Sequence, residues 1–94
     1  MRLIEQQMNE AVHTKANWSK DNTEVVYYVS DNISHIRLHG HHIATYHYND
    51  GVIVANLGTL ATWPTVTTKS RLRALGINVY TRKGITYIND IEVF

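Results

Sequence analysis

Four runs of β-forming residues, separated by little more than turn chemistry, constrain this chain most. They lie at about 24–30, 33–39, 42–48 and 51–56, and each is rich in Val, Ile, Tyr or Thr. Asp31-Asn32 interrupts the first pair, Gly40-His41 the second and Asn49-Asp50-Gly51 the third. Asn, Asp and Gly tolerate the positive φ of tight turns, so the third junction is the strongest hairpin signal. Connections this short join antiparallel neighbours. Residues 24–56 are therefore predicted to form an antiparallel meander.

The flanks read as helix and hairpin. Ile4, Met8, Ala11 and Val12 recur at helical spacing and predict an amphipathic helix over residues 2–14. Glu5 near its start and His13 and Lys15 near its end suit the helix dipole. Residues 17–22 are polar and turn-rich apart from Trp18, which is expected to pack back on the core. Leu57 to Pro64 reads as a loop, with Gly58, Trp63 and the only proline. A short helix follows over 66–75, with Thr65 or Thr67 as N-cap and Gly76 as the stop. Strands are expected at 77–82 and 85–89, joined at Lys83-Gly84, with a short last strand at 91–94 behind Asn89-Asp90. The expected fold is α+β in one domain over residues 1–94. It has an N-terminal helix, a four-stranded antiparallel meander, a short basic helix, a C-terminal β-hairpin and a short final strand.

With 44% hydrophobic and 18% charged residues the composition is that of a globular protein. A chain of 94 residues supports one thin core and little room for a deep substrate pocket. Pairing as a homodimer would relieve that thinness. Cysteine is absent, which excludes disulfides, a thiolate nucleophile and Cys-based metal sites. No apolar run is long enough for a membrane span, so no membrane partner is expected and the expected location is the cytoplasm.

The net charge of +1 is too small to imply a polyanionic partner, but its distribution is uneven. All eight acids lie at or before Asp50 or at Asp90 and Glu92, leaving Lys69, Arg71, Arg73, Arg82 and Lys83 uncompensated in sequence. Such a segment serves as an electrostatic footprint or simply as a solvated face. On a helical wheel Thr68, Leu72 and Leu75 point at the core, Lys69 and Arg73 share an outer face, and Arg71 flanks the apolar stripe. Lys69 in the first turn opposes the dipole, a conflict of a few tenths of a kcal/mol. An anion docked at the helix start, among Thr67, Thr68, Lys69 and Ser70, would remove it; a capped surface helix is the plainer alternative. A helix followed by a basic hairpin outlines a winged DNA-binding module, yet here a meander stands where the preceding helix should be.

Six histidines raise the question of a metal. Alternation places His35, Arg37 and His39 on one strand face, with His41 or His42 across the Gly40 turn. Arg37 in the middle of that face, with no carboxylate positioned behind the imidazoles, argues for a polar exposed surface instead. No glycine-rich phosphate loop, nucleophile elbow or helical zinc-protease pair is present, and no cofactor is expected. The six tyrosines all fall in strands, where an exposed subset would suit protein contact or base stacking.

The run Trp63-Pro64-Thr65-Val66-Thr67-Thr68-Lys69-Ser70-Arg71-Leu72-Arg73-Ala74-Leu75-Gly76 resembles a segment found in small proteins of tailed bacteriophages. The similarity extends to Leu38-His39-Gly40-His41-His42-Ile43-Ala44 and to Lys83-Gly84-Ile85-Thr86-Tyr87-Ile88-Asn89. The resemblance implies a phage origin, where proteins of this size often inhibit or modulate host machinery; it assigns no catalytic or binding residue. Three readings follow. The first is a non-catalytic accessory protein that binds a host or phage protein complex, of nucleic-acid-handling or defence type. Its binding residues would be Thr67, Thr68, Lys69, Ser70, Arg71, Arg73, Arg82 and Lys83, with exposed tyrosines supplying apolar contact. The second is direct nucleic-acid binding through the same surface. The third is a metal-dependent enzyme on the histidine hairpin.

Overall fold

The computed structural model covers residues 1–94 and opens on helix α1 (Leu3–His13). Its helical stripe buries Met8, Ala11 and Val12, together with Glu5, whose charge needs a partner there. Lys15, in the left-handed region at φ 57°, ends the helix. Ala16 N–H then donates back to Ala11 C=O at 2.9 Å.

Five strands follow in order along one antiparallel sheet: β1 (Trp18–Lys20), β2 (Thr23–Tyr28), β3 (Ile33–Leu38), β4 (His41–His47) and β5 (Val52–Ala55). The meander thus has one strand more than the four expected. Asp21, at φ 52°, closes a tight turn that pairs Trp18–Lys20 with Thr23–Val25, so residues 17–22 are not turn alone. His39 and Gly40 both take positive φ between β3 and β4, a combination that matches the twist of a two-residue hairpin.

Register divides the sheet into two faces. Val25, Ile36 and Ala44 lie in register on the inner face, with Leu38 further along β3, and are buried under the helices. Val26, His35, Thr45 and Val54 form the row alongside, on the outer face, where no helix packs. The pairing of β3 with β4 shifts between Ile36 and Arg37: Ile36 opposes Ala44, but Arg37 opposes His42. Ile43 is the extra residue of this bulge, and it is buried.

After β5 comes helix α2 (Leu57–Thr62), where a loop was expected. Gly58, Thr59 and Thr62 are weak helix formers, and two local contacts decide the matter. The Asn56 side chain accepts from Thr59 N–H at 3.1 Å, and Leu60 inserts into the core. Helix α3 (Val66–Ala74) is capped by Thr65, whose hydroxyl accepts from Thr68 N–H at 3.1 Å. It stops at Gly76, at φ 94°, where Gly76 N–H meets Arg73 C=O and Ile77 N–H meets Leu72 C=O, each at 3.0 Å. A Cβ at Gly76 would strain this arrangement.

A separate three-stranded sheet closes the chain: β6 (Val79–Arg82), β7 (Ile85–Ile88) and β8 (Ile91–Glu92). Ile77 belongs to the stop of α3, so the first strand starts two residues later than expected. Turns Lys83-Gly84 and Asn89-Asp90 have positive φ at both residues. The core joins α1, the inner face of the five-stranded sheet, Leu60 of α2, Leu72 of α3 and Val79 of β6. Each such fully buried large side chain contributes about 1.5–3 kcal/mol.

Candidate functional site

The helix–hairpin segment divides into a structural half and an exposed half. Arg71 belongs to the first. It is 7% exposed, its Nη1 donates to Glu5 Oε2 of α1 at 2.8 Å, and its Nε donates to Thr23 Oγ1 of β2 at 3.0 Å. Ser70 donates to the same Glu5 oxygen at 2.6 Å. Thr68 is buried, with its hydroxyl 2.9 Å from that of Thr65. Arg71 and Ser70 therefore tie α3 to α1 and β2, and Thr68 belongs to the buried cap of α3, where an open binding surface was expected. Burial alone would raise the Glu5 pKa, but the Ser70 and Arg71 hydrogen bonds and the Arg71 charge outweigh it and hold the carboxyl below its ordinary value.

Lys69 and Arg73 line the side of α3 that faces β6. The Lys69 ammonium donates to the Thr81 hydroxyl, and Arg73 Nη1 donates to Val79 C=O at 3.2 Å. The first turn of α3 thus has its cap from Thr65 and its lysine turned to β6, which removes the motive for an anion there. Thr67 is half-buried at that turn. Arg82 ends β6, and Lys83 sits in the turn, at φ 52°. Lys69, Arg73, Arg82 and Lys83 take part in no ion pair.

Alternation puts Tyr80 and Arg82 on one face of the hairpin and Val79 on the other, where it is buried. Tyr80 opposes Tyr87 across the ladder, and the two rings stack with centroids 5.3 Å apart and planes inclined by 16°. Glu92 opposes Tyr87 from β8, and Tyr80 Oη donates to Asp90 Oδ1 at 2.8 Å. That hydrogen bond pushes the Tyr80 phenol pKa up. The face therefore runs from cations at the tip (Arg82, Lys83), through an aromatic pair, to carboxylates at the base (Asp90, Glu92). The tyrosines are expected in the sequence as a strand-borne class, with this pair not singled out. The signal was present, since Tyr80 and Tyr87 are equidistant from the Lys83-Gly84 turn.

The outer face of the large sheet carries His35, His42 and His47. His35 and His42 approach with ring centroids 4.5 Å apart, and His35 also meets Tyr28 at 4.9 Å. Arg37 bonds Tyr28 Oη at 3.0 Å and pairs with Glu24 at 3.3 Å. His39 falls in the turn, not on the strand face with His35 and Arg37 as expected. No three His, Asp or Glu side chains gather in a geometry able to hold a metal ion.

His42 links Thr45 and Asn56 in a hydroxyl–imidazole–amide chain, and its tautomer follows from its neighbours. The Asn56 oxygen is taken by Thr59 N–H, so its NH2 group faces His42 Nδ1 at 3.0 Å. Nδ1 must then accept, and Nε2–H donates to Thr45 Oγ1 at 2.7 Å. A nucleophilic hydroxyl needs the reverse polarity, with the imidazole accepting its proton. Burial first, and then the Arg37 charge, holds His42 below the ordinary histidine value; burial and the charges of His42, Arg37 and His47 do the same for His35.

No helix is long and apolar enough to cross a membrane. No curated protein and no solved structure matches the chain. The family model of the Kyanoviridae Gp96 protein matches residues 1–94, and the chain belongs to this family of bacteriophage proteins.

Proposed function

We propose that the protein is a non-catalytic phage accessory factor. It binds and modulates a protein complex in the host cytoplasm, of nucleic-acid-handling or defence type, through the outer face of β6–β7 and the adjoining side of α3. The observation that carries this reading is the stacked Tyr80–Tyr87 pair set between Arg82 and Lys83 at one end and Asp90 and Glu92 at the other. Tyrosine and arginine supply much of the energy at protein interfaces. A surface bearing both signs of charge around an aromatic centre suits a protein of complementary pattern, whereas the carboxylates beside the rings repel a phosphate backbone. The non-catalytic part is supported by the polarity of the Thr45–His42–Asn56 chain, which leaves Thr45 receiving a hydrogen bond instead of giving up a proton.

The test is affinity capture from host lysate with the wild-type chain and with Tyr80→Ala/Tyr87→Ala and Arg82→Glu/Lys83→Glu variants. A partner retained by the wild type and lost by both variants supports the proposal. A partner retained equally by all three chains overturns this choice of surface.

Direct nucleic-acid binding is the second reading, favoured by the four cations Lys69, Arg73, Arg82 and Lys83 that lack ion-pair partners. Retention of single- or double-stranded DNA or RNA that weakens steeply with salt, with a slope reduced by Lys69→Ala or Arg73→Ala, would favour it.

A further inference from the structure

The two edges of the five-stranded sheet are built differently. At one edge β1 is three residues long and carries Ser19 and Lys20, a short and charged strand of the kind that resists further pairing. At the other edge β5 is Val52-Ile53-Val54-Ala55, one residue longer, with neither charge nor proline to discourage further pairing. Asn56 N–H donates to Ile43 C=O of β4 at 2.8 Å, so by alternation the N–H and C=O groups of Val54 also face β4. The groups of Ile53 and Ala55 point out from the sheet.

The same edge borders an apolar groove of about 690 Å³ between β5 and the C-terminal sheet, lined by Ile53, Ala55, Leu57, Ile77, Ile88 and Ile91. Val54 is 51% exposed and Ile91 69%, and Val52, Leu57 and Phe94 are exposed with them. These five residues, backbone included, together expose roughly 500–600 Å², the upper end of what a soluble monomer shows as one patch.

We infer that β5 pairs with β5 of a second copy of this chain, antiparallel across a two-fold axis, joining two five-stranded sheets into one of ten. A register centred on Val54 places Ile53 opposite Ala55 of the second copy and Ala55 opposite its Ile53. Both residues point outward, so this register forms four ladder hydrogen bonds and leaves no outward group of either residue unpaired. Val54 meets its own counterpart at the axis on the outer face, two β-branched side chains in a close pair. On the inner face Ile53 and Ala55 of each copy lie over the groove of the other. Two copies covering the patch remove about 1,000–1,200 Å² in total, the lower bound for a specific interface. An isologous contact of this kind closes on itself and leaves no open edge, because the remaining edges are the protected β1 strands.

Sedimentation velocity on the full chain from low micromolar to millimolar concentration tests the inference. A species of twice 10.8 kDa is expected, populated by mass action. Val54→Lys sets two like charges against each other at the axis and should weaken the dimer at least about tenfold, while the half-exposed position lets the fold survive. Val54→Thr keeps the β-branched shape and should remain dimeric. Hydrogen exchange supplies a second readout: the Ile53 and Ala55 amides should be protected in the wild type and exposed in Val54→Lys, with the β3–β4 amides protected in both. A wild-type chain of 10.8 kDa throughout the range overturns the inference. So does a dimer that survives Val54→Lys while the Ile53 and Ala55 amides exchange freely, which would place the interface elsewhere.

Discussion

Arg71 and Glu5, 66 positions apart in sequence, meet at 2.8 Å between α3 and α1, and both are almost wholly buried. Ser70 and Thr23 complete the arrangement, so four side chains from α1, β2 and α3 share one polar knot inside the fold. The cation that seemed to belong to the basic surface is instead the cross-brace holding that surface to the sheet.

Breaking the brace on one side leaves a buried charge without its partner. Arg71→Ala or Glu5→Ala should each lower unfolding free energy by about 3–5 kcal/mol. The double replacement Glu5→Leu/Arg71→Met removes both charges at similar volume and should lose less than either single change, the remaining loss coming from the Ser70 and Thr23 hydroxyls left without their partners. Urea unfolding of the three variants measures this. A single-variant loss below 1 kcal/mol would show that the pair adds little.

The same pair sets the acid limit. The Glu5 carboxyl titrates below its ordinary 4.5, so between that folded value and 4.5 the unfolded chain binds more protons. Its stabilisation is fully present above pH 4.5 and is lost as pH falls through the folded value. Thermal melts from pH 6 to pH 3 should show a steeper acid loss for wild type than for Glu5→Gln. Parallel curves would contradict the assignment.

What the sequence revealed follows from how far apart the deciding residues lie. The hairpins at Asn49-Asp50-Gly51, Lys83-Gly84 and Asn89-Asp90 were readable because turn chemistry is local. The stop at Gly76 and the cap at Thr65 were readable for the same reason. Strand β1 and helix α2 were not, since Trp18–Lys20 is too short for a periodic signal and Leu57–Thr62 contains weak helix formers held by one cap and one buried leucine. On the wheel Arg71 merely flanked the apolar stripe; only Glu5 on a distant helix decides which way it points. The bulge at Ile43 likewise breaks strict alternation, so Ala44 joins Ile36 on the inner face where counting by two from His42 would place it outside.

Asn56 couples histidine protonation to the start of α2. Protonating His42 places an N–H on Nδ1 against the Asn56 NH2 group, and the amide can turn to accept only by abandoning Thr59 N–H. Both His42 and His35 titrate below 6.5, so the unfolded chain binds more protons between their folded values and 6.5. Stability is therefore full above pH 6.5 and falls as pH drops through that value toward the lowered ones. The melting temperature should drop between pH 7.5 and pH 5.5 in wild type and drop less in His35→Gln/His42→Gln. Asn56→Asp keeps a cap acceptor and offers His42 a carboxylate, so NMR titration should show the His42 pKa raised; an unchanged or lowered value would contradict the coupling.

Lys83 separates stability from binding. It sits at φ 52° in a two-residue turn, a conformation that costs most residues about 1 kcal/mol and that asparagine tolerates. Lys83→Asn should therefore leave the hairpin intact and raise unfolding free energy by up to about 1 kcal/mol. It also removes one of the two cations at the tip of the Tyr80–Tyr87 face. If that face binds the partner, the more stable variant should capture less of it. A variant that gains stability and captures the partner as well as wild type would show that the lysine at the tip plays no part in recognition.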